Sequence, residues 1–228
     1  SRDAPYFGIQ IPNTKDKWFY VWLDAPIGYM ATTKHFLANQ GAKDIDFESI
    51  WKDPNACRMV HFVGKDIIYF HGLFWPAMLK CSGYRQPDAL YAHGFLNIDG
   101  QKMSKSKGTF ITARAYLDKL PPEYLRYYFA SKINPSLEDI NLDWQDFMQK
   151  INADLVGKII NLASRTAPFI TKHFNSALSE HITEPDLWAS WIKRGETIEA
   201  LYEARKFHQA IQTILTIADE ANQYVAQQ

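Results

Sequence analysis

Residues 58–79 read RMVHFVGKDIIYFHGLFWPAML, and this stretch decides the fold class. Residues 58–63 are a short run of largely apolar side chains closed by Gly64, the pattern of a strand buried on both faces. From Asp66 to Leu79 the character turns helical. Pro76 falls inside that helix; proline lacks an amide donor and crowds the preceding turn, so a kink or an early end is expected there. A strand that runs straight into a helix is the first half of a βαβ unit. Working outward toward the N-terminus, residues 18–23 (WFYVWL) predict another buried strand, broken at Ala25-Pro26, with a helix over 27–38. Toward the C-terminus, residues 90–98 predict a third strand, closed by the tight-turn pair Asp99-Gly100. Strands alternating with helices predict a parallel α/β sheet.

After residue 112 the pattern changes to helices. Pro121-Pro122 opens one of them. Over 142–174, Phe147, Ile151, Leu155, Ile159 and Leu162 recur at helical spacing. Two further amphipathic segments fill 186–228, with polarity rising near Arg205-Lys206. The expected architecture is α/β followed by all-α. Half of a Rossmann-like parallel sheet occupies 1–111, a linking helical unit 112–143, and part of a helix bundle 144–228.

The composition is that of an ordinary globular chain, with 46% apolar, 22% charged and 14% aromatic residues. Its 25 basic and 25 acidic residues cancel, so contact with nucleic acid must come from local patches. Cys57 and Cys81 form no CxxC pair and no disulfide framework; this suits a reducing cytoplasm and makes a zinc site within these residues unexpected. No run of about eighteen apolar residues points to a membrane, and no signal peptide opens the sequence. The start at Ser1 without Met, and the end at Gln228 inside a helical pattern, suggest an excised piece of a longer protein.

The most informative short stretch is GQKMSKSKG, residues 100–108. Lys102, Lys105 and Lys107 sit among small residues between two glycines, which suits a hinged loop that meets phosphate charge. A solvated basic turn is the plain alternative. The string KMSKS resembles the second signature of the class I aminoacyl-tRNA synthetases without one substitution. The resemblance implies a loop that closes over ATP, with Lys105 as the main phosphate contact, Lys102 assisting, and Met103, Ser104 and Ser106 also at the nucleotide.

Gly64-Lys65-Asp66 lies where a strand meets a helix, the place where open α/β sheets bind ligands. Spacing alone favours a plain turn capped by Asp66. FVGKDIIYFH resembles the class I stretch that cradles the nucleotide, and the resemblance implies that Gly64 and Asp66 line the ATP and amino-acid site. YVWLDAPIGYM, residues 20–30, resembles the methionyl-tRNA synthetase family. That likeness implies a methionine pocket lined by Trp22, Ala25, Pro26 and Tyr29 and completed by His71. The chemistry is reasonable, since aromatic rings contact a thioether sulfur favourably by about 0.3–1.5 kcal/mol each, and Tyr29 and His71 can each offer a polar contact. A Trp in a buried strand is otherwise core, and a lone His on an apolar helix is otherwise a satisfied core residue.

The resemblance runs the whole chain. It places Arg2, in the opening SRD, near ATP, and it implies magnesium accompanying ATP as substrate, with no metal ligands among these residues and the family's zinc site outside them. It makes methionine, ATP and tRNA(Met) the expected partners. Asn161 and Arg165, four apart in NLASR, share a helix face. Such a pair is ordinarily a solvated face; the resemblance implies an anticodon contact. The first class I signature, HIGH or a close variant, does not occur in the 228 residues. The parent is therefore expected to be a methionine–tRNA ligase, and the 228 residues alone are expected to be inactive. Another class I synthetase or a non-catalytic RNA-binding module are the rival readings.

Overall fold

The structure is a computed structural model, and it describes residues 2–3, 8–40, 44–103 and 110–227. The chain divides into two compact units, 1–93 and 94–228.

In the first unit, β1 (Arg2–Asp3) pairs antiparallel with β2 (Lys17–Trp18). The strand expected over 18–23 is confined to this ribbon. Tyr20 is still extended, but Val21–Leu23 forms a 3-10 turn in which the amides of Leu23 and Asp24 bond back to the carbonyls of Tyr20 and Val21. Beyond Phe19, whose amide bonds to the Ile9 carbonyl, the run has no strand partner among the described residues, and the backbone bonds of Val21–Leu23 close locally. Helix α1 follows at Ile27–Gln40. Helix α2 (Phe47–Lys52) starts with a capping box, in which Asp46 accepts the Ser49 amide and the Ser49 hydroxyl accepts the Asp46 amide.

Strand β3 (Val60–Gly64) pairs parallel with β4 (Ala89–His93), from Val60↔Ala89 to Gly64↔His93. The crossover begins with a 3-10 turn at Lys65–Ile67 and winds widely as a π-helix over Phe70–Phe74. It then continues as α3 (Trp75–Cys81). Pro76 therefore neither ends nor interrupts the helical run. It stands at the start of α3, directly after the wide turn. Trp51, Trp75 and Leu79 form the core of this unit, with Met30, Met59 and Tyr84 packed against them. Arg85 ties down the preceding loop, donating to the carbonyls of Asp53 (3.0 Å) and Cys57 (2.7 Å) and pairing with Asp88.

In the second unit, β5 (Leu96–Ile98) and β6 (Gln101–Lys102) make a hairpin on Asp99-Gly100. Both turn residues have positive φ, 47° and 75°, as a two-residue hairpin requires. The single strand expected over 90–98 is thus two strands in different sheets. The break falls at Gly94, where a Cβ would lie 2.0 Å from the Glu138 carbonyl oxygen. Only a bare Cα lets the two backbones approach so closely. Strand β7 (Ile140–Leu142), which the sequence reading missed, pairs parallel with β5.

Helices α4 (Ala113–Leu117) and α5 (Pro122–Lys132) precede β7, and Pro122 opens α5 as expected. From Trp144 to Phe174 the chain is one helical run. It comprises α6 (Trp144–Lys150), a widely wound π-helical stretch at Ile151–Ile160, and α7 (Asn161–Phe174). Helices α8 (Pro185–Glu203) and α9 (Phe207–Gln227) are separated near Arg205, which has φ 58°. Ile98, Tyr116, Tyr128, Leu142, Phe147 and Ile151 make the core. Helix α9 is fastened to the long run by Lys158–Asp219 (2.6 Å) and by Asn222 donating to the Lys158 carbonyl (3.0 Å). No helix among the described residues is long and apolar enough to cross a membrane. The architecture is mixed α/β with small sheets, followed by helices.

Candidate functional site

The turn after β2 carries Trp22 onto the crossover helix, where its ring stacks on Phe70 with centroids 4.5 Å apart and planes 10° apart. Pro26 is buried and Ala25 exposed in the turn that leads into α1. The amides of Ile27, Gly28 and Tyr29 bond to the carbonyls of Asp24, Ala25 and Pro26, which starts the helix and fixes Tyr29 in its first turn. The Tyr29 hydroxyl then lies 2.9 Å from His71 Nε2.

His71 is buried, at 2% exposure, and its Nδ1 lies 3.1 Å from the Ile67 carbonyl one turn back. A carbonyl only accepts, so Nδ1 carries the proton; in the neutral ring Nε2 then accepts, and Tyr29 donates. Behind this pair the Trp75 indole N–H donates to His61 Nε2 at 3.3 Å. The His61 ring lies 5.1 Å from Tyr29 and 5.7 Å from His71, centroid to centroid. Burial, and next the proximity of His71, lower the His61 pKa from its ordinary value of 6.5. Trp22, Tyr29, His61, Phe70, His71 and Trp75 thus form an aromatic corner, in which His61 disfavours a charge. Such a surface suits an uncharged, polarizable side chain. Both ring nitrogens of His71 are engaged within the protein, Nδ1 with the Ile67 carbonyl and Nε2 with the Tyr29 hydroxyl.

Gly64 closes β3, and Gly64 and His93 end the two parallel strands in register. A Cβ at Gly64 would lie 2.7 Å from Asp66 Oδ1, so the carboxylate leans across a residue that must stay small. Asp66 does not cap the turn. Gly64 is the capping residue, without a side-chain bond. Arg2 lies on β1 opposite Trp18. In the second unit Lys102 stands on β6 with its ammonium 4.5 Å from the Phe95 ring centroid, and Met103 packs against the core. Ser104, Lys105 and Ser106 lie outside the described residues. Asn161 is half-buried and Arg165 exposed at the start of α7.

A sequence profile of the family described as "tRNA synthetases class I (M)" matches residues 1–167. The chain belongs to the class I tRNA synthetases of the M type. Among solved structures, it is similar to the Mycobacterium tuberculosis methionyl-tRNA synthetase in complex with methionyl-adenylate, at 28% identity with a TM-score of 0.80. The match covers 99% of this chain and 43% of that one. The free form of the M. tuberculosis enzyme is also similar, at 26% identity with a TM-score of 0.74, covering 99% of this chain and 42% of that one. The synthetase segment in hand therefore spans less than half the length of the chains it matches.

Three members of the synthetase's aromatic corner, His61, Phe70 and Trp75, were not singled out by sequence reasoning. A signal existed. Phe70 and His71 precede Trp75 by five and four residues, about one turn of a widened helix. Among the described residues, no group of three or more His, Cys, Asp or Glu side chains converges as a metal site.

Proposed function

We propose that the protein containing these 228 residues is a methionine–tRNA ligase. A methionine carboxylate oxygen attacks the α-phosphorus of ATP, the bond to the β-phosphate oxygen breaks, and methionyl-adenylate and pyrophosphate form. The terminal ribose hydroxyl of tRNA(Met) then attacks the methionyl carbonyl carbon and AMP leaves. The observation that carries this reading is the aromatic corner of Trp22, Tyr29 and His71, closed by one hydrogen bond at 2.9 Å. It is supported by family membership and by likeness to a synthetase that holds methionyl-adenylate.

In this reading Trp22, Ala25, Pro26, Tyr29 and His71 select the side chain of methionine. Arg2, Gly64 and Asp66 line the nucleotide. Lys102 and Lys105, with Met103, Ser104 and Ser106, meet the phosphates as charge develops on the leaving pyrophosphate. Magnesium arrives with ATP as part of the substrate. Asn161 and Arg165 read unpaired anticodon bases, for which a planar amide and a guanidinium suit base edges. The functional division is 1–111 for catalysis, 112–143 for the link and 144–228 for the anticodon end, and the protein works in the cytoplasm. The isolated 228 residues carry no HIGH string and are inert on their own.

The test is charging of tRNA with labelled methionine by the full-length protein, beside the 228-residue polypeptide. Charging by the full-length protein alone is expected. Charging by the short polypeptide refutes its inertness. A full-length protein that binds tRNA(Met) but charges it with nothing identifies a non-catalytic RNA-binding module instead.

A further inference from the structure

His61 has no place in the methionine pocket as the sequence motifs define it, yet it stands behind Tyr29 and His71, whose side chains are joined by a hydrogen bond. It lies on β3, the strand whose register with β4 is fixed at His61↔Leu90. From there its ring contacts Tyr29 at 5.1 Å and meets His71 edge-on at 5.7 Å. Its Nε2 takes the indole N–H of Trp75, a residue only 2% exposed. A buried indole N–H needs an acceptor, and here the acceptor is the ring that backs Tyr29. Tyr29 itself is 42% exposed, so core packing alone does not hold it. Two hydrogen-bonded histidines brace it, one at the hydroxyl and one at the ring. Elements from three places in the sequence, α1, β3 and the crossover helix, thereby converge on one phenol.

We propose that His61 is a positioning residue for methionine selection. Anchored by Trp75, it fixes the Tyr29 ring so that the phenol oxygen meets the substrate side chain at one place. The role rests on the methionine–tRNA ligase reading and extends it to a residue that does not touch the substrate. Only an acceptor at the Nε2 position serves, since a ring without it leaves the Trp75 N–H unpaired and the brace loose. A neutral His61 also keeps charge away from an uncharged thioether, in keeping with its lowered pKa.

The experiment uses the full-length protein and three variants, His61→Phe, His61→Asn and His61→Gln. Phe keeps a ring without an acceptor, and Asn is too short to reach the indole. Gln places its carbonyl oxygen near the lost Nε2. Methionine-dependent ATP–pyrophosphate exchange is measured against methionine and against ATP, after thermal unfolding confirms each fold. Phe and Asn are expected to raise the methionine KM about five- to tenfold, the effect of one hydrogen bond. The ATP KM should stay at the wild-type value, and Gln should restore most of the loss. If Phe does not fold, Asn and Gln decide. A methionine KM for Asn within twofold of wild type overturns the positioning role. So does a Gln variant as impaired as Asn, or an ATP KM that rises in step. A wild-type protein that shows no methionine-dependent exchange overturns the ligase reading itself and this role with it.

Discussion

Tyr29→Phe deletes one oxygen and leaves every ring in place, so it removes the bond at the centre of the pocket together with the proposed contact of the phenol oxygen with the substrate. His71 Nε2 loses its donor in a residue that is 2% exposed, with its other nitrogen already committed to Ile67. A neutral hydrogen bond contributes about 0.5–1.5 kcal/mol net, and a buried acceptor left unpaired costs about 1–3 kcal/mol. Tyr29 is part-exposed, and water can reach some of the vacated space, so about 1–2 kcal/mol is expected. At about 1.4 kcal/mol per decade this is roughly a five- to thirtyfold fall in kcat/KM for methionine. The assay is a double-mutant cycle in the full-length protein with Tyr29→Phe, His71→Leu and the pair, read as methionine-dependent exchange. If the two groups act as one unit, the double variant should be better than the sum of the singles by about 1–2 kcal/mol. Additivity within about 0.5 kcal/mol would refute the coupling and with it the idea that His71 works by holding Tyr29.

Three further outcomes are expected of the full-length protein. Lys105→Ala should slow exchange on the order of a hundred- to a thousandfold while methionine affinity measured at equilibrium hardly moves, because the contact forms in the transition state; a near-normal exchange rate removes the residue from the chemistry. Arg165→Gln should lower kcat/KM for tRNA by roughly ten- to a hundredfold and leave tRNA-free exchange untouched; a parallel fall in both makes the residue structural. His61 adds a pH dependence. Its folded pKa lies below the unfolded value, so its contribution to stability is complete above about pH 6.5 and is lost as pH falls through the lowered folded value. Unfolding temperature should therefore drop from pH 7 to pH 5 more steeply in wild type than in His61→Gln, with His71 and Tyr29 as the facing titratable groups; equal slopes would contradict this.

The elements legible in the sequence are those whose signal is local. Gly64 closing a strand, Asp99-Gly100 in a hairpin, Pro122 opening a helix and the apolar series from Phe147 onward all describe the backbone within one turn. What escaped depends on distant partners. The run 18–23 has strand composition, but a strand needs a neighbour; only Trp18 is paired as a strand, and Val21–Leu23 coils into a turn that aims Trp22 at Phe70. The split at Gly94 is set by the close approach of residues 138 and 139, more than forty positions away. β7 is three residues long and carries no period to read. Trp22, Tyr29 and His71 were found through motif resemblance, and the structure brings them together. His61 and Trp75 needed the fold, since nothing in a strand histidine or a helix tryptophan announces that the two will pair.

The central claim is that this synthetase selects methionine through an uncharged aromatic corner. ATP–pyrophosphate exchange by the full-length protein, without tRNA, tests it most directly when methionine is compared with leucine and isoleucine at equal concentration. The account predicts exchange with methionine and exchange at least about tenfold slower with either competitor, as one misfitted side chain in an apolar pocket allows. Exchange that is equally fast with leucine, or that depends on another amino acid altogether, would contradict it.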